Sequence, residues 1–420
     1  MHRLEGALRS YAWGSRTAIS ELCGRTVPSD HPEAELWFGA HPADPARVVS
    51  ENGGTAVSLL DIVESDPEHQ LGSGAVEQFG ARLPFLLKLL AAEEPLSLQA
   101  HPSAVQAAQG YAREQDLRVP LDSPIRNYRD PNHKPELVVA LTRFEALAGF
   151  RDARRTVELL EALGVPELDP YVGLLAGQPD SDGLRALFTT WITLPPRVLI
   201  SLLPRVLDGC VTYLATSARP RVFAEEVRTV LQLAESYPGD AGVLASLLLN
   251  RITLEPGQGL YLAAGNLHAY LSGMGVEIMA NSDNVLRGGL TPKHVDVPEL
   301  LKILDFRSPD VPILEAVATG GAPSGGAEVG YCTPAPEFAL SRLEPAAGDA
   351  VTLAPCGPQI LLSTAGTVRV VCGDAGVELT PGCAVWISAA DPELTVAALT
   401  PGAQVFRARL GRLPVPSSAS

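Results

Sequence analysis

Apolar and polar residues alternate along the first part of the chain, and this alternation predicts a β-rich region. Between residues 1 and 150 the apolar runs are short and are interrupted by glycine, proline, aspartate and asparagine. This pattern is typical of a sandwich or jelly roll, in which turns join short strands. One predicted strand runs from Pro95 to His101. Gln99 lies two residues before His101, so both side chains would point to one face of that strand.

From Asp152 the spacing of the apolar residues changes from that of a strand to that of a helix. Apolar side chains recur three and four residues apart within 157–163, 184–191 and 222–233. Such spacing places them on one side of a helix. Glycine and proline residues separate the three segments. We therefore expect a helical insertion over residues 152–250.

Strand character resumes at Ile252 and continues with interruptions to about Leu314. Residues 318–326 are rich in glycine, alanine, serine and proline, as in a linker, and alternation returns after them. The fold predicted is mainly β, with a jelly-roll catalytic domain, an inserted helical domain, a second β domain without metal and a disordered tail. The catalytic domain would comprise residues 1–151 and 251–317, and the helical insertion residues 152–250. The second β domain would cover residues 327–412, and the disordered tail residues 413–420.

The two β regions share a weak internal repeat with an offset of 125 residues. Leu-Glu-Pro-Gly at 254–257 corresponds to Leu-Thr-Pro-Gly at 379–382, and an apolar strand follows each. Proline and glycine before a strand are also ordinary turn chemistry, so the match alone does not establish a duplication. In a duplication, His268 would lie opposite Glu393. The second copy would then lack a histidine where the first could bind a metal.

Composition narrows the class of protein. The chain has 420 residues, of which 46% are hydrophobic, enough for two or three domains. A net charge of −16 argues against nucleic acid or an anionic membrane as the main partner. Six cysteines without a CxxC pair indicate free thiols in a reducing compartment. With no signal-peptide pattern and no run of 18 apolar residues, we expect a cytoplasmic monomer that has no membrane span.

Four polar residues beside apolar runs are candidate metal ligands. They are two imidazoles, one carboxylate and one amide, a plausible set for zinc or a similar divalent ion. Each alone is more simply explained as surface polarity or as a hydrogen-bonded histidine, and only the combination favours a metalloenzyme. Because they are far apart in sequence, only a sheet folded on itself could bring them together. They are Gln99, His101, Glu136 and His268.

Candidate functional cations occur in two other places. Lys88 lies in the apolar run 84–90, and a buried lysine is rare unless it is paired or functional, although its stem could also reach solvent. Arg287, Lys293 and His294 crowd one glycine-bearing stretch, which suits a phosphate, an alkoxide or simply a solvated loop. The chain has no GxGxxG or GxxxxGK[ST] loop for nucleotides. A metal beside cations indicates a small phosphorylated substrate.

Taken in order, these stretches resemble the type I mannose-6-phosphate isomerases, zinc enzymes of the cupin superfamily. The resemblance covers the front three-quarters of the chain and is carried by residues 11–15, 35–42, 84–90, 98–102, 132–136, 265–270 and 279–293. It implies a cupin fold for the catalytic domain, and the internal repeat extends the expectation of a cupin-like fold to the second β domain. It also implies one zinc ion per chain and an active-site arginine, Arg287. The implied zinc ligands are Gln99, His101, Glu136 and His268.

The activity implied by the resemblance is interconversion of mannose 6-phosphate and fructose 6-phosphate through a cis-enediol. Zinc would hold the O1/O2 edge of the sugar, and Arg287 would offset negative charge there. The residue that moves the proton stays open among Lys134, His133, Asp283 and Glu277. Polar contacts to the phosphate are expected from Lys88, Ser97 and Lys293.

Two other functions fit parts of the pattern. A different cupin metalloenzyme, such as an iron dioxygenase, would normally use a histidine-rich set with open positions for oxygen. Gln99 and the cationic stretch around Arg287 argue against it. A non-catalytic sugar-binding cupin predicts a degenerate site, whereas the first β region keeps all four candidate ligands.

Overall fold

The computed structural model describes residues 1–49, 56–216, 221–308, 311–318 and 328–411. Its strands are β1 His2–Glu5, β2 Ala7–Arg9, β3 Glu35–Phe38, β4 Arg47–Val49, β5 Val57–Ser58, β6 Phe85–Ala92, β7 Leu98–Ala100, β8 Glu136–Ala140, β9 Phe144–Phe150, β10 Leu249–Leu254, β11 Gly259–Leu262, β12 His268–Ala280, β13 Leu286–Gly289, β14 Ile313–Leu314, β15 Val317–Ala318, β16 Glu328–Tyr331, β17 Ala339–Leu343, β18 Ala350–Leu353, β19 Gln359–Ala365, β20 Val368–Cys372, β21 Ala375–Leu379, β22 Ala384–Ile387, β23 Leu394–Ala398 and β24 Gln404–Arg409.

Its helices are α1 Ala18–Leu22, α2 Leu59–Ser65, α3 Pro67–Leu71, α4 Ser73–Phe79, α5 Ala104–Asp116, α6 Ala153–Ala162, α7 Asp169–Gly177, α8 Ser181–Ile192, α9 Pro196–Ala215, α10 Ala224–Ser236, α11 Gly242–Ser246 and α12 Val297–Ile303, with a 3-10 turn at Pro166–Leu168.

The long strand β12 organises the first β region. Its C-terminal half pairs with β6 and β8, whereas its N-terminal half pairs with β7 and β9. Gly273 lies at the change of partners with φ +113°, and a side chain there would come within 2.8 Å of Phe144 Cα. Only glycine fits this conformation and this close approach. β12 thus belongs to two sheets that face each other across a common interior, and the predicted jelly-roll fold is confirmed.

β7 is shorter than the strand predicted from Pro95 to His101. Only Leu98–Ala100 pair regularly with their neighbours, and the flanking Pro95 and Pro102 have no N–H to donate. His101 therefore follows the strand instead of ending it. Its backbone carbonyl still accepts a hydrogen bond of 2.9 Å from the N–H of Gly265, which fixes the position of the residue.

The C-terminal β region packs a nine-stranded sheet against a four-stranded one. In the large sheet the order is β15-β16-β17-β24-β19-β22-β1-β4-β5, so the N-terminal strand β1 pairs directly with β22. The small sheet has the order β18-β23-β20-β21. Local pattern cannot reveal such pairing between distant strands. The domain boundaries stay a prediction, and strand pairing places β1, β4 and β5 in the C-terminal sheet.

Alternation explains why a lysine lies in the apolar run of β6. Leu87 and Ile278 point away from the barrel interior and share a core with Trp386 of the nine-stranded sheet. Lys88 and Glu277 lie directly opposite each other on adjacent strands and point inward. Every residue of β6 is buried. A strand that is covered on both faces has a nearly continuous apolar sequence. In β6 the one polar residue, Lys88, marks the face that points to the barrel interior.

Helices occupy two parts of the chain. Those from α6 to α11 lie within the predicted insertion of residues 152–250. The other six, α1 to α5 and α12, lie in the two segments where the sequence predicted strands, and no helix was predicted there. The clearest case is α5, which begins with a capping box between Ser103 and Gln106. This Ser-x-x-Gln signal is readable from sequence.

Among the described residues, one helix, α9, is long and apolar enough to cross a membrane by length and composition, and 33% of its most apolar segment is buried inside the protein. Leu202, Val206 and Cys210 face the core of the helical region, with the spacing of a helix packed on one side. Most of the predicted linker 318–326 and the predicted tail 413–420 lie outside the described residues.

Candidate metal centre and active-site cavity

Three of the four candidate ligands form a buried cluster in the barrel interior. His101 follows β7, Glu136 opens β8 and His268 opens β12. One carboxylate oxygen of Glu136 lies 3.2 Å from His101 Nε2, and the other lies 3.4 Å from His268 Nε2. The residues are 1%, 3% and 1% exposed, which excludes an ordinary surface role. All three ligand atoms lie within 4.8 Å of one another.

Each histidine is oriented by the ring nitrogen that faces away from the cluster. His101 Nδ1 lies 2.7 Å from the carbonyl oxygen of Asn284, and His268 Nδ1 lies 3.0 Å from that of Asn266. A carbonyl oxygen only accepts hydrogen bonds, so each Nδ1 carries the proton and each Nε2 presents a lone pair. Both Nε2 atoms are buried without a hydrogen-bond partner among the described residues.

The electrostatics of the cluster favour a bound cation. Burial lowers the pKa of His101, so the neutral ring faces the carboxylate with its lone pair. Burial would raise the pKa of Glu136, but the ammonium group of Lys134 opposes this effect, and that pKa lies well below the usual range. The site therefore combines an ionised carboxylate with two inward-facing lone pairs. A divalent metal ion satisfies such a set.

Cross-strand register brings Gln99 to the same place. β7 lies between β12 and β13, and Gln99 is directly opposite His268 on one side and Arg287 on the other. Directly opposed residues of antiparallel strands point to the same face of the sheet. Gln99 and Glu136 line the same cavity. The amide can thus supply an oxygen to the metal, with the guanidinium on its other side.

A cavity of about 460 Å³ opens beside the cluster, and a second lobe of about 280 Å³ adjoins it. Trp13 and Tyr270 line the first lobe, and His41 and Asn127 line the second. The residues shared by both lobes are mostly charged, namely Tyr11, Glu35, Lys88, Lys134, Arg287 and Lys293. The volume and polarity suit a small charged substrate.

Lys88 is a paired buried lysine and not a stem that reaches solvent. It is 5% exposed, and its Nζ lies 3.2 Å from Glu277 and 3.5 Å from Glu35. Burial alone would lower the pKa of Lys88, but the carboxylates of Glu35 and Glu277 raise it above its ordinary value. Lys88 is therefore charged, and its charge is already offset by the protein.

The four candidates for proton transfer lie in different surroundings. Glu277 is buried in the cavity wall, where Tyr270 donates a hydrogen bond of 2.8 Å to it, and burial raises its pKa against the opposing effect of Lys88. The remaining three have other partners: Lys134 Nζ is 3.1 Å from Glu136, Asp283 is 3.4 Å from His41 in the second lobe, and His133 is 2.6 Å from Glu337. Among the described residues, His133 does not line either lobe.

The expected phosphate contacts all line the cavity, and the structure adds a cation that sequence reasoning missed. Ser97 lines the first lobe, and Lys88 and Lys293 line both. Arg129 lines the second lobe. Burial and then Arg129 lower the pKa of Arg287, whereas burial, Arg287 and Arg129 lower that of Lys293. An arginine in a loop has no periodic signal, so only the fold could reveal this cluster.

Asn284 is a second residue that the sequence did not single out. It is fully buried, and its backbone carbonyl is the oxygen that orients His101. Its side-chain oxygen accepts from the N–H groups of Arg129 and Asp130 at 2.7 and 3.2 Å. Its amide nitrogen donates to the carbonyls of Asp130 and Asn132 at 2.7 and 2.8 Å. The side chain of Asn284 thus connects the loop of residues 129–132, which precedes Glu136, to the segment that leads into β13.

The fold and the cavity define a cupin-type barrel enzyme with a candidate metal centre in its interior. Residues 1–153 match the catalytic domain of phosphomannose isomerase type I. The chain is 38% identical to the mannose-6-phosphate isomerase of Escherichia coli over 94% of its own length and 97% of that protein. It is 39% identical to the Salmonella typhimurium enzyme over 81% and 83% of the two chains.

The chain belongs to the type I mannose-6-phosphate isomerase family, and it is an isomerase. A crystal structure of a phosphomannose isomerase variant from Salmonella typhimurium superposes with a TM-score of 0.86 at 34% identity, covering 98% of this chain and 100% of that one. A mannose 6-phosphate isomerase bound with zinc and yttrium gives 0.85 at 34% identity with the same coverage. The predicted family, fold and class of enzyme are confirmed.

Proposed function

We propose that the barrel interior binds one zinc ion and interconverts mannose 6-phosphate and fructose 6-phosphate through a cis-enediol. The observation that carries this proposal is the pair of buried, unpartnered Nε2 atoms directed at the Glu136 carboxylate. Zinc would supply Lewis-acid polarisation of the sugar oxygens at C1 and C2. A zinc-bound relative supports the choice of metal. The ligands would be Gln99, His101, Glu136 and His268.

Arg287 is proposed to stabilise the negative charge that develops on the sugar. It lies beside Gln99 in the sheet and lines both lobes of the cavity. No carboxylate pairs with its guanidinium in the described ranges, so its charge is available to a substrate. An arginine remains protonated at any physiological pH. It can therefore act as a fixed cation without exchanging protons.

We propose Glu277 as the residue that takes the proton from C2 and returns it to C1. It is a buried carboxylate in the wall of the metal lobe, and Tyr270 and Lys88 fix its two oxygens. Burial raises its pKa above that of an ordinary glutamate, which makes the carboxylate a stronger base. Lys134 is instead engaged with Glu136, and Asp283 is 47% exposed beside His41. A carboxylate on one face of a cis-enediol can serve both carbons.

The phosphate is proposed to contact Lys293, Ser97 and Lys88 at the cationic side of the cavity. Lys293 would contribute most of the attraction, because no described carboxylate pairs with it. Lys88 would contribute a hydrogen bond and little net charge, because Glu35 and Glu277 already offset it. We further propose that the protein is a monomer in the cytoplasm, and the free thiols of its cysteines support a reducing compartment.

Isomerisation in heavy water tests the proposed chemistry. A proton removed by a carboxylate exchanges with solvent, so deuterium should enter C1 of the fructose 6-phosphate formed. Mass spectrometry of the product measures it. Product that stays free of deuterium even after the reaction has turned over many times at equilibrium would contradict the enediol route and favour a direct hydride shift between the two carbons.

Glu277→Gln should lower kcat by about 10²–10⁴-fold, the usual contribution of a general base. Glutamine keeps the size of the side chain and can still accept from Tyr270, but it cannot take a proton. Steady-state kinetics and zinc content measure the two effects separately, and zinc should stay at one per chain. Glu299→Gln is a matched control, since Glu299 is also buried but does not line either lobe among the described residues. Near-normal turnover in Glu277→Gln would assign the base elsewhere.

Asn284→Ala should weaken zinc binding by about 10–100-fold, the usual effect of losing support behind a ligand. The substitution removes the hydrogen bonds that hold the loop of residues 129–132 against the segment whose carbonyl orients His101. A competition titration with a zinc-binding dye gives the affinity. Asn281→Ala is the control, because its amide bonds only the carbonyl of Leu83 at 3.3 Å. Equal zinc affinity in both variants would show that Asn284 has no effect on the ligand.

Glu393→Ala should leave turnover unchanged and alter the free energy of unfolding by less than about 0.5 kcal/mol, as for most surface positions. Glu393 is exposed and immediately precedes β23. The only described cluster that could hold a metal is in the first β region. Kinetics and thermal unfolding measure both quantities. A large loss of turnover would show that the C-terminal β region takes part in the reaction.

A further inference from the structure

Two cysteines far from each other in sequence lie at one surface cavity outside the active site. Cys23 caps the C-terminal end of α1, and Cys383 lies in the turn between β21 and β22. Both are partly buried, and both line a cavity of about 530 Å³ together with Arg3 and Arg25. The cavity opens to the surface, so a small molecule can reach the sulfur atoms.

The backbone brings the two cysteines within reach of each other. A Cβ added to Gly382 would collide with Cys23 Sγ and would lie 3.4 Å from Cys23 Cα. Because successive Cα atoms are 3.8 Å apart, the Cα atoms of Cys23 and Cys383 are separated by at most about 9 Å. A disulfide needs Cα atoms about 4.4–6.8 Å apart, so a movement of the turn by about 2 Å is sufficient even at that limit. Gly382 itself has φ +83° and no side chain to prevent closure.

The surroundings give the two sulfur atoms different chemistry. Arg3 donates a hydrogen bond of 3.4 Å to Cys383 Sγ, and the Thr380 hydroxyl lies 3.5 Å from the same sulfur. A partly exposed sulfur beside a cation has the electropositive surroundings that reactive cysteines share. Cys23 is the more protected group: burial raises the pKa of its thiol, although Arg25 opposes this. An accessible thiol beside a cation, with a second cysteine next to it, is the arrangement of a reversible oxidation site.

We propose that Cys383 and Cys23 form a reversible disulfide when the enzyme meets hydrogen peroxide. The Cys383 thiolate attacks the O–O bond, an S–O bond forms, and the leaving hydroxide is protonated to water. The Cys23 thiol then attacks the sulfenic acid, the S–S bond forms and a second water leaves. Two thiols are oxidised and one peroxide is reduced to two waters. The disulfide would fasten α1 to the hairpin of β21 and β22.

The test treats the full chain with hydrogen peroxide, removes the excess with catalase, blocks free thiols and maps peptides without reduction. The expected result is a linked peptide containing Cys23 and Cys383, lighter by two hydrogens and lost after dithiothreitol. In Cys23→Ser, dimedone should trap a sulfenic acid at Cys383, whereas in wild type it should not. Cys383→Ser should lose both products. Circular dichroism and isomerase activity confirm that each variant is folded.

Cys332 serves as an internal comparison, because its side chain is exposed. The linkage should also raise the Tm of oxidised wild type above that of oxidised Cys23→Ser, since it constrains the unfolded chain. The proposal is overturned if folded wild type gives no linked peptide. It is equally overturned if Cys383 in Cys23→Ser is trapped no more than Cys332.

Discussion

His268→Ala is expected to lose zinc and activity together. It removes one of the two buried imidazoles that face Glu136 and leaves a set of three ligands, of which only one is a nitrogen. A Lewis-acid metal contributes several kcal/mol to catalysis, so the loss of kcat should reach about 10³-fold or more. Elemental analysis and a coupled assay with mannose 6-phosphate measure the two quantities on one preparation.

The matched control for this variant is His31→Ala, because His31 is exposed and lies outside both lobes of the active-site cavity. It should keep one zinc per chain and normal turnover. If His268→Ala also kept full zinc and full activity, His268 would not be a ligand. If it kept zinc but lost activity, His268 would act on the substrate, and the proposed ligand set would be wrong.

Arg287→Ala is expected to lower kcat much more than it raises KM. A guanidinium that stabilises charge present only during reaction contributes little to binding the sugar phosphate itself. Removing one such electrostatic group typically costs about 10²–10³ in rate, about 3–4 kcal/mol. Arg287→Lys should also be poor, since an ammonium cannot reproduce the planar fork of donors. Steady-state kinetics of both variants give kcat and KM separately.

Zinc content separates this role from ligation, and it should stay at one per chain in both variants. Arg307→Ala is the control, because Arg307 is largely exposed and pairs only with Asp305. An unchanged kcat with a raised KM would mean that Arg287 binds the phosphate, together with its neighbours Lys293 and Arg129. Its proposed role at the reacting carbons would then be wrong.

The sequence could predict the candidate ligands because strands leave a readable pattern. A polar residue inside or beside an apolar strand run marks the interior face of a barrel, and Glu136, His268 and Lys88 all follow this rule. The fold class followed from the same alternation. Both inferences need only residues that are close together in the chain.

What the sequence could not predict depends on contacts between distant residues. Lys88 could be read as either paired or solvated, because its partners Glu35 and Glu277 come from other strands. The pairing of β1 with β22 joins opposite ends of the chain, and no local pattern encodes it. Asn284 is one polar residue in a polar stretch, and its importance becomes visible only from the seven hydrogen bonds that it makes in the folded chain.

The central claim is that one zinc ion in the barrel makes this chain an active mannose-6-phosphate isomerase. The most direct measurement is titration of metal-free enzyme with zinc, following the conversion of mannose 6-phosphate to fructose 6-phosphate at each addition. Metal-free enzyme should be inactive, and activity should rise linearly and stop at one zinc per chain. Full activity before any zinc is added, with residual metal below one tenth per chain, would contradict the account.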